Sequence, residues 1–430
     1  MPGRRESIVE HKAASSIQMG PVAGENTVPV VVVGAGPVGL LNALGIARTG
    51  IPVTVLERCE DIVRAPRAVV YHWATLDGLD RLSLLQPAVE AGFLKQDYCY
   101  LNWRTGEQVR YGLSCLDGSV AHPYNLHLRQ DRFVEVMLQV IENEGLPVDV
   151  RWGRTVIGLQ NYDDRVEVTA LRPDGSPERH RASWVIGADG AGSAVRSLLG
   201  LSFEGFTWPE RFVATDVVYP FEEEGYGQTT FVVDDTFGAI IVKIENSSSG
   251  PGLWRYTYSD PVADSPESVE QRMGGFFETV LPLADRRELR AYSPYRMHQR
   301  CASTFRMNRV LLAGDAAHAT NPTGGLGLTG GLFDSYLLIE ELSAVIRGHK
   351  DAWVLDRYAH ERRLVFKDKV SPAASANKRT VFGSTETAEG SAAWDRIKRL
   401  AVDEELARTR LMLPKSLQTP VSTRHGEIDG

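Results

Sequence analysis

Several signatures of common catalytic and metal sites are missing from this sequence. Its four cysteines form no Cys-x-x-Cys pair, and its ten histidines form no His-Glu-x-x-His motif. These gaps argue against a zinc site, so we expect no bound metal ion. The sequence also lacks a Gly-x-Ser-x-Gly elbow and a lysine-bearing phosphate loop. The α/β-hydrolase and P-loop classes are therefore without their defining residues.

Positive charge and long apolar runs are scarce as well. The 430 residues carry a formal net charge of -8, whereas nucleic-acid binding needs a basic surface. No apolar run comes near the roughly 18 residues that cross a bilayer. The few cysteines show no paired spacing, which is typical of a reduced compartment. We therefore predict a cytoplasmic protein that binds neither nucleic acid nor a membrane, with a loose tail over residues 1–27.

The sequence does contain a nucleotide-binding pattern near its N-terminus. An apolar run of four valines, residues 30–33, leads into Gly34-Ala-Gly36-Pro-Val-Gly39, a helical stretch and a second strand that ends at Glu57. Gly34 permits the tight turn, Gly36 lets the backbone approach a pyrophosphate, and Gly39 lets helix and strand pack closely. The helix N-terminus then faces the pyrophosphate, and Glu57 is placed to accept a hydrogen bond from a ribose. The pattern predicts a dinucleotide site and leaves NAD and FAD open.

Two later junctions repeat this arrangement. Residues 184–188 form a buried strand that leads into Asp189-Gly190 and a short helix, and residues 309–313 lead into Gly314-Asp315 and a glycine-rich turn before a long helix. Ligands bind α/β sheets at the carboxyl ends of their parallel strands. The three junctions are therefore expected to converge on one long, flat cofactor.

The region between the second and third junctions has a different composition. β-branched and aromatic residues dominate residues 203–300, which predicts an antiparallel sheet inserted as a second domain. Trp254 and Tyr256 fall on one strand face. Together with Tyr219 they either line a substrate pocket or pack the sheet, and packing is the default interpretation. Charged helices follow residue 352 and pack on the body or on a second subunit, so a homodimer is one expectation.

The three motifs, in this order, resemble those of the class A flavoprotein monooxygenases, the aromatic hydroxylases with the p-hydroxybenzoate hydroxylase fold. The likeness covers about residues 28–369, and Pro66-Arg67-Ala68 is most similar to the branch that hydroxylates phenols and phenylpropionates. It implies FAD as cofactor, NADPH or NADH as electron donor, and a small aromatic substrate that reacts with O2 through a flavin C4a-hydroperoxide. In this chemistry the cofactor supplies the reactivity and the protein supplies its arrangement.

The resemblance also implies a domain plan and a set of cofactor contacts. The fold class is α/β plus β, a Rossmann-like FAD-binding domain with an inserted antiparallel-sheet substrate domain and C-terminal helices. Its expected ranges are a tail at 1–27, FAD-binding parts at 28–202 and 301–375, the substrate sheet at 203–300 and a helical segment at 376–430. The expected FAD contacts are Gly34, Gly36, Gly39, Glu57, Arg58, Arg67, Arg129, Gln130, Asp189, Arg196, Asp315, Pro322, Gly325, Leu326, Gly327 and Leu328.

The sequence departs from relatives at two kinds of position. Leu326 and Thr329 stand where the family often has Gln and Asn, so the flavin ring would be met by backbone N–H groups. Val69 stands where some phenol-hydroxylating relatives carry an aspartate taken as the base. Because phenolate attacks better than phenol, a base would help by a typical factor of about 10²–10⁴. His72 and His298 are the candidates, although a lone histidine is more often structural.

Other functions stay open at this point. One is a halogenase or an oxidase on the same fold, although the Trp-x-Trp-x-Ile-Pro segment of flavin halogenases is absent. Another is a nucleotide-binding sensor or a prenyl-reductase-like protein that does not oxygenate. A purely structural protein would bind no chromophore.

Overall fold

The computed structural model describes residues 27–247, 250–260 and 266–422. The predicted tail lies outside these residues except for Thr27, and so does the end of the predicted C-terminal segment. The strands are β1 (Thr27–Val33), β2 (Val53–Leu56), β3 (Val70–Tyr71), β4 (Phe93–Lys95), β5 (Asp97–Asn102), β6 (Gln108–Gly112), β7 (Asn125–His127), β8 (Val148–Arg151), β9 (Thr155–Asn161), β10 (Val166–Leu171), β11 (Pro177–Gly187), β12 (Phe203–Val218), β13 (Thr229–Val233), β14 (Ala239–Glu245), β15 (Leu253–Asp260), β16 (Glu288–Ala302), β17 (Arg306–Met307), β18 (Val310–Leu312) and β19 (His318–Ala319). The helices are α1 (Pro37–Arg48), α2 (Trp73–Arg81), α3 (Leu85–Ala91), α4 (Gln130–Asn143), α5 (Ala194–Leu198), α6 (Pro266–Val280), α7 (Leu326–Ile346), α8 (Trp353–Val365), α9 (Ser371–Val381), α10 (Ala388–Arg399) and α11 (Glu404–Leu411).

The first sheet brings the three predicted junctions together. Its strands lie in the order β17-β18-β11-β1-β2-β8, and β18, β11, β1, β2 and β8 run parallel. The last residues of β1, β11 and β18 are in register, since Val33 pairs with Gly187 and Gly187 pairs with Leu312. All three turns therefore start side by side at one edge of the sheet, as predicted.

The second sheet has the order β19-β16-β12-β15-β14-β13-β5-β6. It contains the expected strands between residues 203 and 302, and it also takes in the hairpin β5–β6, because β5 pairs in parallel with β13. These two strands fall in the range predicted for the first part of the FAD-binding domain, so the sheet includes residues from outside the range predicted for it. Helix α6, which was not predicted, covers one face of the sheet.

Local turns separate two pairs of neighbouring elements. Gly153 lies between β8 and β9 at a φ of +67°. α10 and α11 are separate helices, and Asp403 caps α11 by accepting a hydrogen bond from the Leu406 N–H at 3.0 Å. The overall α/β plus β architecture with C-terminal helices is confirmed.

A third, small sheet packs against the second sheet. Its order is β3-β7-β4, and all its pairs are antiparallel. The registers place Val70, His127, Phe93, Asn125 and Lys95 on one face. No helix in the described residues has the length and apolar character needed to span a bilayer.

Candidate active site

The first turn leaves open space where a pyrophosphate would lie. A Cβ added to Gly34 would come within 2.5 Å of the Ala188 oxygen, and one added to Gly39 within 1.9 Å of the Gly34 oxygen. A Cβ on Gly36 would meet nothing within 4 Å. Gly36 is also the N-cap of α1 and provides no side-chain cap, so the helix presents its first N–H groups to this space. The turn therefore fits a dinucleotide pyrophosphate.

Glu57 lies at the end of β2 and joins two stretches of this turn. Its carboxylate accepts hydrogen bonds from the Ala35 N–H at 2.7 Å and the Cys59 N–H at 2.9 Å. Each carboxylate oxygen has a second lone pair, so capacity remains for a ribose hydroxyl. Arg58 follows with an exposed side chain. Ribose binding by Glu57 and cofactor contact by Arg58 stay predictions.

The second turn is held to the third by Arg196. Ser193 is the N-cap of α5, and Asp189 stabilises this helix start by accepting hydrogen bonds from the Ser193 hydroxyl at 2.5 Å and the Ala194 N–H at 2.7 Å. The buried guanidinium of Arg196 donates to the Ala316 and Ala191 carbonyls at 2.8 and 2.7 Å. Its burial lowers the pKa of Arg196. The side chain thus fixes the relative position of the turns, and a direct cofactor contact stays a prediction.

The third turn contains a buried charge network that the sequence did not indicate. The Asp334 carboxylate accepts hydrogen bonds from the Gly314 N–H at 3.0 Å, His318 Nε2 at 2.6 Å and Arg362 Nε at 2.7 Å. Burial acts to raise the pKa of Asp334, but His318 and Arg362 outweigh it and bring the pKa to about 2. Asp334 therefore stays ionised and fixes the turn on which Asp315 sits.

Asp315 is the accessible acid of this turn. Its side chain reaches solvent, but the surrounding protein raises its pKa, against the opposing effect of His318, Arg67 and His298. An exposed carboxyl just after a parallel strand is suited to bind hydroxyl groups, such as those of a ribityl chain. This observation supports the predicted role of Asp315.

The glycine-rich turn before α7 offers backbone rather than side chains. Gly325 is the N-cap of α7 at a φ of +68° and provides no side-chain cap, and its N–H donates to the Pro322 oxygen at 2.9 Å. The Leu326 and Thr329 side chains are buried. The first-turn N–H groups of residues 326–328 therefore have no side-chain cap, and their contact with a flavin ring stays a prediction.

Two predicted arginine contacts have different surroundings. The Arg67 side chain is exposed, and its backbone oxygen accepts a hydrogen bond from Arg255 Nη1, while Arg255 pairs with Asp216 at 2.7 and 3.0 Å. The second sheet therefore fixes the backbone that carries Arg67. Arg129 donates to Asp131 at 2.8 Å and to Glu245 at 3.2 Å. Arg129 links α4 to β14, and cofactor binding by it and by the half-buried Gln130 stays a prediction.

The aromatic residues predicted for the substrate wall lie on the face of the second sheet that α6 covers. Tyr219, Trp254 and Tyr256 are at most 2% exposed and pack in one cluster with the α6 residues Met273 and Phe277. They occupy the sheet face opposite Arg255, which reaches Arg67. The alternation along β15 separates the two faces. The packing interpretation is confirmed, and the interpretation as a substrate wall is corrected.

The opposite face of the second sheet meets the small third sheet. Val69 packs against Val242 and Ile244, the His127 Nδ1–H donates to the Lys243 oxygen at 2.9 Å, and Asn125 Nδ2 donates to the Tyr98 hydroxyl at 2.5 Å. We call this region the inter-sheet layer. Its small-sheet side consists of Val69, Val70, His72, Lys95, Asn125 and His127. Its other side, formed by the second sheet, consists of Tyr98, Tyr100, Phe231 and Val242.

His72 connects the inter-sheet layer to the glycine turn of α7. Its Nε2–H donates to the Gly324 oxygen at 2.8 Å, and its Nδ1 is buried without a hydrogen-bond partner in the described residues. Burial, aided by the charge of Lys95, lowers the pKa of His72 to about 4. The ring is therefore neutral near pH 7, although the Gly324 carbonyl and the Asn125 side chain act in the opposite direction on its pKa.

His298, the second candidate base, lies outside the inter-sheet layer. Its Nδ1 is 2.9 Å from the Thr207 hydroxyl. Burial lowers its pKa, and the nearby charges of Arg300 and Arg296 add to this effect. His298 therefore belongs to a basic group beside the third turn. The structure does not bring the two histidines together in one layer.

The site includes residues that the sequence did not single out. Lys95, Asn125, His127 and Tyr98 belong to no motif, and they meet only because β4 pairs with β7 and because β5 joins the large sheet. Within the described residues, no cluster of three or more histidine, cysteine or acidic side chains could hold a metal ion.

Known proteins are similar to this chain in sequence and in fold. Residues 27–373 match the protein family described as "FAD binding domain". The chain is 40% identical over 393 residues to 6-hydroxy-3-succinoylpyridine 3-monooxygenase HspB of Pseudomonas putida (strain DSM 28022 / S16), which covers 91% of this chain and 98% of that protein. It is 41% identical over 352 residues to para-nitrophenol 4-monooxygenase of Pseudomonas sp. (strain WBC-3), with 81% and 86% covered.

A solved structure shows the same architecture. The crystal structure of p-nitrophenol 4-monooxygenase PnpA from Pseudomonas putida DLL-E4 superposes with a TM-score of 0.86 at 38% sequence identity. The match covers 92% of this chain and 99% of that one. The likeness thus extends over most of this chain.

Proposed function

The chain belongs to the FAD-binding-domain family of aromatic flavoprotein monooxygenases, and on this premise we propose that it hydroxylates a phenol or hydroxypyridine with NADH or NADPH as electron donor. FAD is its cofactor, and the protein is an FAD-dependent aromatic monooxygenase. The proposal concerns the substrate class, the electron donor and the residues that act on the substrate.

The observation that carries the proposal is the position of His72. The histidine links the turn assigned to the flavin ring, through the Gly324 oxygen at 2.8 Å, to the inter-sheet layer, and its Nδ1 has no partner there. Two relatives are named for rings that bear a hydroxyl group, 6-hydroxy-3-succinoylpyridine and para-nitrophenol. A hydroxylated ring in the inter-sheet layer would give His72 the proton donor that it lacks.

The residues that would hold FAD follow from the three turns. Gly36 and the N-terminus of α1 would bind the pyrophosphate, Glu57 the adenosine ribose and Asp315 the ribityl chain, while the N–H groups of residues 326–328 would face the ring. When bound and reduced by NADH or NADPH, FAD supplies the activated oxygen that is transferred to the substrate. Arg67 and His298, which face Asp315, are the proposed contacts for the nicotinamide donor or the flavin.

His72 would act as the general base. Its Nε2–H is committed to the Gly324 oxygen, so the neutral ring accepts the substrate's hydroxyl proton at Nδ1 and increases the electron density of the aromatic ring. A base held in this way typically contributes about 10²–10⁴-fold. We favour His72 over His298, because His298 lies in a basic group away from the inter-sheet layer.

A coupled assay tests the proposed function. Purified protein with bound FAD is mixed with NADH or NADPH and a panel of phenols and hydroxypyridines, and donor consumption is compared with hydroxylated product. We expect consumption to rise with a phenolic substrate and to match product formation. Donor consumption that yields only hydrogen peroxide would indicate an oxidase, and a requirement for halide would indicate a halogenase. Either outcome would overturn the proposal.

A further inference from the structure

Lys95 is a buried lysine whose ammonium group has no hydrogen-bond partner. The residue ends β4 and is 1% exposed, and its Nζ neither hydrogen-bonds nor forms an ion pair within the described residues. The ammonium group lies over the face of the Tyr98 ring, whose centroid is 3.4 Å from Nζ. Buried charges are normally paired, because desolvation is costly. An unpaired lysine in this layer therefore calls for a binding partner.

The acids and bases around Lys95 do not supply that partner. Burial lowers the pKa of Lys95 to about 7, and Asp97 and Cys99 act in the opposite direction with smaller effect. The Asp97 side chain is 45% exposed and lies 4.0 Å from Arg110. On the small-sheet side, Lys95 faces His127 and His72, and its charge lowers the pKa of both. Among the described residues, the Lys95 ammonium is therefore balanced by no acid at hydrogen-bond distance.

The same layer contains a matching unpaired acceptor. His72 Nδ1 is buried without a partner, and it faces the layer from the small-sheet side, as Lys95 does. Asn125 stands between them, since it pairs with Lys95 in the sheet and donates to the Tyr98 hydroxyl. A hydroxyl group can donate one hydrogen bond and accept others. It therefore satisfies an unpaired lysine donor and an unpaired histidine acceptor at the same time.

We propose that Lys95 binds the hydroxyl oxygen of the aromatic substrate while His72 Nδ1 accepts the hydroxyl proton. The proton moves from the substrate oxygen to His72, and the electron pair stays on the oxygen beside the Lys95 ammonium. This inference rests on the proposed function and makes it more specific. It selects substrates that carry a ring hydroxyl and can become phenolates, and it excludes rings without one.

The test measures the ionisation of a bound probe rather than turnover. The holoenzyme, with FAD and without NADH or NADPH, is titrated with 4-nitrophenol across a pH series, and the phenolate is followed by its visible absorption. We compare wild type with Lys95→Met and Lys95→Gln. Lys243→Met is the matched control, because Lys243 is also buried but pairs with Glu222 at 2.7 Å and lies on the sheet face that carries Trp254.

The proposal predicts a clear difference between these variants. Loss of the Lys95 charge should raise the pKa of bound 4-nitrophenol by about 1 to 3 pH units, the usual effect of an adjacent opposite charge. Lys243→Met should match wild type. Both Lys95 variants should retain FAD and melt no earlier than wild type, because they remove an unpaired buried charge.

Three results would contradict this inference. An unchanged pKa of the bound probe in both Lys95 variants would show that Lys95 does not touch the hydroxyl. Early melting or loss of FAD in both variants would make Lys95 a structural residue. In these two cases wild type still hydroxylates phenols and the proposed function stands. If wild type neither binds nor oxidises any phenol, the proposed function itself fails.

Discussion

Arg196 donates a hydrogen bond to the carbonyl oxygen of Ala316 at 2.8 Å, and this contact joins the second nucleotide turn to the third. The same guanidinium donates to the Ala191 oxygen at 2.7 Å. Arg196 lies on α5, nine residues after the end of β11, and Ala316 follows β18. One side chain therefore sets the spacing between two of the three turns that would surround FAD.

Replacement of Arg196 by methionine should weaken FAD binding. The change leaves two carbonyls without their donor, which costs about 1–3 kcal/mol for a buried polar group, and it loosens the third turn. We expect FAD to dissociate roughly 10-fold or more readily, as measured by flavin fluorescence during dilution. Arg309→Met, which removes an arginine from the opposite end of β18, is the control. Wild-type FAD affinity in Arg196→Met would contradict this role.

Gly36→Ala should separate FAD binding from folding. A Cβ at Gly36 meets no protein atom within 4 Å, and Gly36 has a φ of -73°, so alanine should be tolerated by the apoprotein. The same methyl group would occupy the space of the pyrophosphate. We expect the apoprotein to melt as wild type does, while FAD affinity falls at least about tenfold, a loss of about 1.4 kcal/mol.

Gly39→Ala provides the contrasting variant. Its Cβ would lie 1.9 Å from the Gly34 oxygen, so this change should destabilise the apoprotein itself. If Gly36→Ala instead bound FAD as tightly as wild type, the pyrophosphate would have to lie away from the N-terminus of α1.

The pH dependence of turnover should report His72. The pKa of His72 is about 4, and the base must be neutral to accept a proton, so kcat/KM should persist as the pH falls and decline only near pH 4. In His72→Gln, kcat/KM should fall by about 10²–10⁴ where the substrate is un-ionised. The deficit should shrink at higher pH, because the substrate then arrives as phenolate.

Two other histidine variants make this test specific. His122→Gln is the control, since His122 pairs with Tyr124 near the surface and should leave the profile unchanged. The assignment would be contradicted if His72→Gln kept the wild-type profile, or if His298→Gln alone reproduced the loss.

Trp254→Phe should affect stability and spare catalysis. Trp254 is buried against Phe221, with ring centroids 5.0 Å apart, on the sheet face covered by α6. Shortening a large buried side chain should cost about 1–3 kcal/mol, measured by chemical unfolding. We expect KM for the aromatic substrate to stay within about twofold of wild type, since twofold is only about 0.4 kcal/mol. A large rise in KM at unchanged stability would restore Trp254 as part of the substrate wall.

The nucleotide turns could be predicted from sequence because their determinants are local. Gly34, Gly36 and Gly39 encode a turn and a helix start within six residues, and buried β-branched strands precede each junction. Parallel strands in one sheet necessarily end at the same edge. The register of Val33, Gly187 and Leu312 is therefore the consequence of patterns visible in the chain itself.

The substrate side could not be predicted in the same way, because long-range pairing creates it. The hairpin β5–β6 is recognisable locally, but its partner β13 lies more than 100 residues away. Lys95 joins the inter-sheet layer only when β4 pairs with β7. Period-two alternation correctly placed Trp254 and Tyr256 on one face, but it does not reveal which face α6 covers.

The most direct test of the proposed monooxygenase reaction traces the source of the oxygen atom that is added to the substrate. Wild-type enzyme with FAD, an electron donor and a phenolic substrate is supplied with isotopically heavy O2 in ordinary water, and the product is analysed by mass spectrometry. We predict that the new hydroxyl group carries one heavy oxygen atom and that one molecule of NADH or NADPH is consumed for each molecule of product. A product whose new oxygen comes from water, or no oxygenated product at all, would contradict it.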